Sequence, residues 1–285
     1  MPDLSVPPVP AQADSDATLI GLWLNGRPRH TTRAYETDVR AFLAHVGKPL
    51  RAVTVGDVQG FGASLNGLAP ASRARKIATV KSLIAFAHRL GYLPFDVGAP
   101  VLLPPIEGKL AERILEEAAV HRLLALEENP RDHALLRLLY LAALRISEAC
   151  GLRWRDLSPR GDAGQATVFG KGGKTRAVLL PTGVWRELAL LRGEAGPDDP
   201  VFLSRKGGCL DPSQVHRVVK AAVARAGLPP EVSAHWLRHA HASHALDRGA
   251  PIHLVQATLG HASVATTGRY THARPNDGSA RYLAG

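Results

Sequence analysis

Several side chains in the C-terminal half of this sequence are of types that bind a phosphate ester. Arg145 lies in the apolar segment LAALRISEACGL, and His235 and Arg238 lie together in AHWLRHAHASHAL. A buried guanidinium needs an anionic partner, and a base beside a cation suits a phosphate. A salt bridge within one helix to Glu148, three residues after Arg145, is an equally good interpretation of that arginine. Both interpretations predict that the two residues share a helical face.

A glycine-rich turn supplies two further cations. The segment GKGGKT carries Lys171 and Lys174 between the strand-like runs QATVF and TRAVLL. A nucleotide-binding P-loop would need glycine at Val168 and a helix after the turn, and the sequence has neither. The pattern therefore predicts a β-hairpin whose tip could carry a lysine into a site.

The histidine-rich segment AHWLRHAHASHAL does not have the spacing of a metal site. A zincin motif would need a glutamate directly after His235, where tryptophan stands. At about 100° per helical residue, His235, Arg238 and His239 share one face, and His241 and His244 point to the other side. We expect the last two to be packed core histidines, and we predict no metal.

One tyrosine follows this set near the C-terminus. His261 comes directly after a glycine that ends an apolar helix, and Tyr270 lies nine residues later. A phenol, with a pKa near 10, is a much better nucleophile and leaving group than an alkanol. A lone tyrosine is ordinarily a core or surface residue, so its role depends on its neighbours.

The elements that must position these residues are mostly helical. Apolar residues recur at helical spacing in TTRAYETDVRAFLAHVG and ASRARKIATVKSLIAFAHRLG. The chain of 285 residues suits two domains. We predict a disordered leader (1–15), a helical domain (16–98), a Pro- and Gly-containing linker (99–111) and a mostly helical second domain with a small antiparallel sheet (112–285). The predicted fold class is mainly α.

The charge is strongly basic. The formal net charge is +10, and residues 20–95 hold eleven basic and three acidic side chains, a net of +8. A one-signed surplus lacks the ion pairs of an ordinary solvated helix face and favours contacts with a phosphate backbone. The candidate DNA-contacting residues are Arg33, Arg40, Arg73, Arg75, Lys76 and Lys81, with Lys174 in the hairpin.

The composition also excludes several classes of protein. Two cysteines, Cys150 and Cys209, cannot form a disulfide framework, which favours a reducing cytosol. No apolar run approaches the roughly 18 residues that a membrane-spanning helix needs. The first residues carry acids and prolines instead of the basic and apolar regions of a signal peptide. We therefore expect a cytoplasmic protein.

The order of these motifs resembles one enzyme family. R-I-S-E, a hairpin lysine, H-x-L-R, L-G-H and Y-T-H follow one another as in the tyrosine site-specific recombinases, the phage integrase family, and most closely as in its Xer-like members. TTRAYETDVRAFL is similar to the core-binding domain of that family. The sequence from about residue 112 onward is similar to its catalytic domain.

The resemblance implies roles for the site residues. Arg145 and Arg238 would clamp the scissile phosphate, Glu148 would support the site, and Tyr270 would be the nucleophile. Lys171 would be the general acid that protonates the leaving 5′ oxygen.

In the remaining assignments, His235 would accept or share the tyrosine proton. His261 would hydrogen-bond the phosphate and pack against the tyrosine segment. Lys174 is the alternative general acid, since the hairpin turn is the least ordered of the motifs.

The resemblance also implies partners. Duplex DNA would be cut and rejoined through a covalent 3′-phosphotyrosyl intermediate, with no ATP, metal or other cofactor. Four protomers, either all of one kind or including a paralogous recombinase, would exchange strands through a Holliday junction in the nucleoid. Two alternatives are a relaxing enzyme of the type IB topoisomerase kind and a non-catalytic DNA-binding regulator.

Overall fold

The computed structural model describes residues 12–105, 110–170, 173, 175–268 and 270. The chain divides into two compact units, Met1–Glu107 and Gly108–Gly285. Within the described residues, no helix is long and apolar enough to cross a membrane. The lysines of the predicted hairpin tip, Lys171 and Lys174, lie outside the described residues.

The first unit is a helical bundle. Its helices are α1 (Asp16–Leu24), α2 (Arg29–Val46), α3 (Val55–Ser64) and α4 (Pro70–Arg89). They begin and end where the sequence places caps: Thr54 and Asp57 form a capping box at α3, and Gly47, with φ +62°, ends α2. Val39, Phe42 and Phe61 are among the buried core residues. The spacing of apolar residues therefore predicts α2 and α4 correctly.

The folded unit extends beyond its predicted limits at both ends. Of the predicted leader the structure describes residues 12–15, where Ala13 is buried and Ser15 caps α1. At the other end Val101 belongs to the same core. Lys81 donates to the carbonyl oxygens of Ala99 (3.2 Å) and Val101. The described start of the predicted linker thus packs on the first unit.

The second unit contains eight further α-helices among the described residues and one sheet. The helices are α5 (Glu117–Ala125), α6 (Pro130–Leu141), α7 (Ile146–Gly151), α8 (Thr182–Arg192), α9 (Pro212–Arg225), α10 (Ala234–Asp247), α11 (Ile252–Leu259) and α12 (Val264–Gly268). The strands are β1 (Leu157–Arg160), β2 (Ala163–Phe169) and β3 (Thr175–Leu180).

The sheet is a three-stranded antiparallel meander in the order β1-β2-β3. Phe169, the last residue of β2, pairs with Thr175, the first of β3, so the predicted hairpin is confirmed and its turn connects these two residues. Strand β1 is not predicted by the sequence, since LSPR is short and polar and contains proline. One face of the sheet contributes Ala166, Val168 and Val178 to the main core of the unit.

The helix predicted through LAALRISEACGL is interrupted. Helix α6 ends at Leu141, α7 begins at Ile146, and Arg145 is the N-cap residue of α7 with extended backbone angles. Between the helices Ala143 has φ +48°, the one positive φ of a non-glycine residue in the described part of the chain. Such backbone strain persists only where the surroundings hold it.

Candidate active site

Arg145 is fixed by a carboxylate at the start of α7. The Arg145 backbone N–H donates to Glu148 Oε2 (2.8 Å) and its Nη1 donates to Oε1 (2.8 Å). The Glu148 side chain is 3% exposed, whereas that of Arg145 is 40% exposed. Both interpretations made from the sequence are therefore compatible with the structure: Arg145 is paired with Glu148, and its guanidinium still reaches an open face.

A second arginine, absent from the sequence-based set, binds the same carboxylate. Arg176 on β3 donates from Nη1 to Glu148 Oε1 (2.8 Å) and from Nη2 to Oε2 (2.9 Å). Its Nε donates to the carbonyl oxygen of Thr258 on α11 (2.8 Å). Glu148 thereby links the start of α7 to β3.

Arg238 on α10 is buried, with 2% of the residue exposed. Its Nη1 and Nη2 donate to the carbonyl oxygens of Ala143 and Leu259. The strained segment before Arg145 and the C-terminus of α11 thus hold this guanidinium in place. Burial and the nearby charge of Arg145 lower the pKa of Arg238 to about 10, which keeps it charged at neutral pH.

Tyr270 lies in the same unit, next to a histidine. Its hydroxyl oxygen is 2.7 Å from His239 Nδ1, and the residue is 6% exposed. A negative charge on the Tyr270 oxygen would raise the pKa of Arg238. The two side chains are therefore close enough to interact electrostatically. The hydroxyl therefore sits where a base can receive its proton and a cation can stabilise its anion.

The other two histidines surround this pair. The His235 ring is 4.2 Å from the His239 ring, centroid to centroid. His261 lies parallel to Tyr270 at 6.5 Å, and its Nδ1 is 2.9 Å from Thr267 Oγ1. His235 therefore packs against His239, which in turn contacts the Tyr270 hydroxyl.

Part of the site, with Arg145, Arg176 and His261, lines a cavity of about 970 Å³. Its wall combines the start of α7, the ends of the β2–β3 hairpin and the loop after α11. The lining residues are Arg145, Ser147, Glu148, Phe169, Gly170, Thr175, Arg176, Gly260, His261 and Ala262. This cleft is open and cationic, unlike the enclosed pockets that bind small molecules. It suits a single phosphate group with its flanking sugars.

The electrostatics favour an anion and neutral imidazoles. Burial raises the pKa of Glu148, but the hydrogen bonds and charges of Arg176 and Arg145 outweigh it and lower that pKa to about 2. Burial, followed by the charges of Arg238 and Arg145, lowers the pKa of His261 to about 4. Three guanidiniums therefore face one carboxylate at neutral pH, and His261 can accept a hydrogen bond or a proton.

The pKa of His235 is lowered as well. Desolvation of its ring, followed by the charges of Arg238, Arg145 and Arg113, lowers the pKa of His235. Its neutral form is thus favoured by burial and by these arginine charges.

The histidines on the far face of α10 pack as the sequence predicts. His244 Nδ1 is 3.0 Å from the Tyr140 hydroxyl, and its Nε2 is 2.9 Å from the Leu115 carbonyl oxygen. Burial lowers the pKa of His241 to about 4. Over the described residues there is no group of three or more potential metal ligands.

The candidate DNA-contacting residues of the first unit differ in what they already bind. Arg33 and Arg40 are exposed on α2. Arg73 is half-buried, and its Nε has no hydrogen-bond partner among the described residues. These three arginines on α2 and α4 remain candidates for phosphate contacts. Lys81 Nζ already donates to two backbone carbonyl oxygens.

Arg75 and Lys76 are held by a buried carboxylate. Asp38 on α2 is 1% exposed and accepts from Lys76 Nζ (3.0 Å), from both terminal nitrogens of Arg75, and from Thr79 Oγ1 (3.2 Å). The Arg75 side chain is still 48% exposed. The cluster fixes α2 to α4 and orients these two cations.

The sequence-based set thus misses two site residues, His239 and Arg176. His239 carries a signal: it stands one turn after His235 on the face that also holds Arg238. Arg176 carries none, because its partner Glu148 lies 28 residues away in sequence and TRAVLL has the pattern of an ordinary strand.

Two family models match the chain. The model described as "Phage integrase family" matches residues 113–277, and the one described as "Phage integrase, N-terminal SAM-like domain" matches residues 19–91. Together they cover most of both units.

Curated relatives give the same result. The tyrosine recombinase XerC of Rhodospirillum centenum is 38% identical over 281 residues, covering 88% of this chain and 80% of that protein. The tyrosine recombinase XerC of Mycobacterium tuberculosis is 34% identical over 271 residues, covering 87% and 89%.

Solved structures share the fold. A XerH site-specific recombinase bound to a palindromic difH substrate, in a post-cleavage complex, has a TM-score of 0.74 at 23% identity and covers 92% of this chain and 82% of that one. A lambda integrase dimer bound to a COC′ core site has a TM-score of 0.74 at 17% identity and covers 93% and 79%.

The chain therefore belongs to the phage integrase family, and it is a tyrosine recombinase, an enzyme of site-specific DNA recombination. The predicted fold class, two units that are mainly helical with a small antiparallel sheet, is confirmed.

Proposed function

We propose that this protein cuts and rejoins duplex DNA through a 3′-phosphotyrosyl bond to Tyr270. The proposal is supported above all by the placement of the Tyr270 hydroxyl, 2.7 Å from His239 Nδ1 and within electrostatic range of Arg238. A nucleophile, a base and a phosphate-binding cation are thereby brought together in one unit.

In the proposed cleavage step, the Tyr270 oxygen attacks the phosphorus atom of one phosphodiester. The P–O bond to the 5′ oxygen breaks, and the tyrosine proton passes to His239. The charge that develops on the nonbridging oxygens is stabilised by Arg145 and Arg238, which offer planar, paired N–H donors. His235 and His261 flank the phosphate as neutral imidazoles.

The leaving 5′ oxygen needs a proton, because an alkoxide leaves poorly. Lys171 is the proposed donor, with Lys174 as the alternative. Strands β2 and β3 end at Phe169 and Thr175, both of which line the cavity. The turn between them therefore starts and ends at the mouth of the site.

Rejoining reverses these steps with a different 5′ hydroxyl. The phosphotyrosine conserves the energy of the broken bond, so this chemistry uses neither ATP nor a metal ion. Exchange between two duplexes would proceed through a Holliday junction in an assembly of four protomers, either of one kind or with a paralogous recombinase. The proposed partner is double-stranded DNA of the nucleoid.

A plasmid that carries two copies of the cleavage site tests this function. We expect excised and religated circles from wild-type protein without added nucleotide or divalent cation. Relaxation of supercoils without recombinant circles would indicate a topoisomerase-like enzyme. Retention of DNA without any strand cleavage would indicate a non-catalytic DNA-binding protein.

A further inference from the structure

Arg176 uses each nitrogen of its guanidinium inside the site. Two nitrogens hold both oxygens of Glu148, and the third holds the Thr258 carbonyl, at 2.8 to 2.9 Å. The Arg176 side chain is 12% exposed. A guanidinium that is buried in this way has little freedom left to bind a ligand of its own.

The partners of Arg176 lie on three different parts of the site. Glu148 holds the backbone N–H and the guanidinium of Arg145. Thr258 is followed within three residues by His261. Arg176 itself is the second residue of β3 and thus stands directly after the lysine-bearing turn.

The backbone after α11 is shaped around this side chain. Gly260 has φ +61°, and a Cβ atom built there would lie 3.1 Å from Arg176 Cδ and 3.3 Å from its Nε. Glycine therefore lets the loop that carries His261 approach the guanidinium closely.

We propose that Arg176 is a positioning residue for DNA cleavage, which holds Arg145, strand β3 and the His261 loop in one arrangement. The inference rests on the proposed function and deepens it. Arg176 acts through Glu148 and the Thr258 carbonyl and does not itself bind the scissile phosphate. A misplacement of about 1 Å of such groups can reduce a rate about 100-fold.

The shape of the guanidinium matters as much as its charge. A lysine at position 176 would restore one positive charge, but an ammonium group cannot span two carboxylate oxygens and a carbonyl in a fixed plane. A positioning role therefore predicts that lysine rescues little, whereas a purely electrostatic role predicts that it rescues most of the rate.

Loss of Arg176 should also change the response of the enzyme to pH. Among the described residues, the charged groups that face Glu148 are Arg145, Arg176 on β3 and Arg238 on α10. The hydrogen bond from Arg176 is the first among the interactions that lower the pKa of Glu148 against its burial. Without it that pKa rises, so Glu148 takes up a proton at a higher pH than in the wild type, and its hold on Arg145 then weakens.

The second unit contains a well-matched control. Arg137 on α6 donates from Nη1 to Glu187 Oε2 (2.8 Å) and to the Gly183 carbonyl oxygen (3.3 Å), and its side chain is 24% exposed. A Cβ at Gly183 would lie 3.1 Å from its Nη2. Arg137 thus has the same kinds of neighbour as Arg176: a carboxylate, a backbone carbonyl and a closely packed glycine. None of these neighbours belongs to the candidate site.

The test compares Arg176→Met, Arg176→Lys and Arg137→Met with wild-type protein. Single-turnover formation of the covalent adduct is measured on a nicked duplex that contains the cleavage site mapped for the wild type. DNA is saturating, and the pH is varied from 8 to 6. We expect both Arg176 variants to bind this duplex with nearly wild-type affinity and to react about 30-fold or more slowly than Arg137→Met. The deficit of Arg176→Met should deepen toward pH 6.

Each other outcome has a definite meaning. Equal rates for Arg176→Met and Arg137→Met, or a wild-type rate for Arg176→Lys, would overturn the inference and leave the proposed function standing. If Arg176→Met does not fold, the lysine variant alone decides between the two roles. A wild-type protein that forms no adduct would overturn the proposed function itself.

Discussion

The Tyr270 hydroxyl and His239 Nδ1 are 2.7 Å apart, on residues separated by 31 positions in sequence. His239 lies one helical turn after His235 and next to Arg238 on α10, so a single helix carries both the proposed base and a proposed phosphate-binding cation. The T-shaped packing of His235 on His239 further fixes the ring. This contact makes His239 the proposed partner of the nucleophile.

We expect His239→Ala to slow adduct formation by roughly 100-fold or more, because a positioned general base typically contributes about 10²- to 10⁴-fold. His239→Asn should retain more of the rate, since the Asn side chain can place an acceptor near the position of Nδ1. The measurement is single-turnover cleavage with DNA binding followed in parallel. Equal rates for the alanine variant and wild type would remove His239 from the mechanism.

The DNA affinity should fall steeply with salt, because contacts between cations and phosphates release counterions. Replacement of Arg33 and Arg40, both exposed on α2, with alanine should reduce the slope of log K against log salt by about 2. The slope is measured by titrating duplex DNA at several potassium chloride concentrations.

The control removes the same charge elsewhere. Arg160 and Arg186 are exposed in the second unit, and their joint replacement with alanine should leave the slope within about 0.5 of the wild type. A slope that responds equally to both double variants would mean that only net charge matters and that α2 makes no phosphate contact.

Asp38→Asn should lower the free energy of unfolding of the first unit by about 2 kcal/mol, because it leaves Lys76 and Arg75 beside a neutral, buried group. The two cations are partly exposed, with side-chain exposures of 19% and 48%, which keeps the loss below that for fully buried charges. Urea unfolding measures it. Glu36→Gln, an exposed position on the same helix, should change stability by less than about 0.5 kcal/mol.

The stability of the second unit should fall in mild acid. The pKa values of His241 and His261 are lowered from 6.5 to about 4, so the unfolded chain binds more protons than the folded unit between these values. Stability is therefore lost as the pH falls below about 6.5. The two residues together should cost on the order of 3 to 4 kcal/mol between pH 7 and pH 5.

Tryptophan fluorescence in urea follows this change, since three of the four tryptophans lie in the second unit. His241→Gln should remove about half of the difference between pH 7 and pH 5. His121→Gln, at a side chain that is 65% exposed, should leave it unchanged. An unfolding free energy that is the same at both pH values would contradict the buried neutral histidines.

Much of the site follows from the sequence because its chemistry-bearing residues stand in a fixed order of short motifs. Arg145, His235, Arg238, His261 and Tyr270 are all named from the sequence as candidates, and the structure places all five in the second unit. The spacing of apolar residues likewise predicts the bundle of the first unit, and the two strand-like runs around a glycine-rich turn predict the hairpin.

The interruption between α6 and α7 could not be predicted, because LAALRISEACGL has the composition of one continuous helix. Arg238, 95 residues away in sequence, donates to the Ala143 carbonyl, and the Glu148 carboxylate takes the Arg145 N–H. These contacts satisfy backbone groups that a helix would otherwise pair. Long-range hydrogen bonds decide the local conformation here, as they also do for the place of Arg176.

Tyr270→Phe should abolish covalent attachment to DNA and leave duplex affinity within about threefold of wild type, because only the attacking oxygen is removed. The ring still packs among Ile114, Val255 and Leu259. Combined loss of binding and cleavage would mean that Tyr270 is structural.

The account depends most directly on which atom is joined to DNA. The adduct formed by wild-type protein on a nicked duplex can be digested and its peptides sequenced by tandem mass spectrometry. We predict one modified residue, Tyr270, carrying a 3′-linked nucleotide. A nucleotide on any other residue, or strand cleavage with no covalent peptide, would contradict the account.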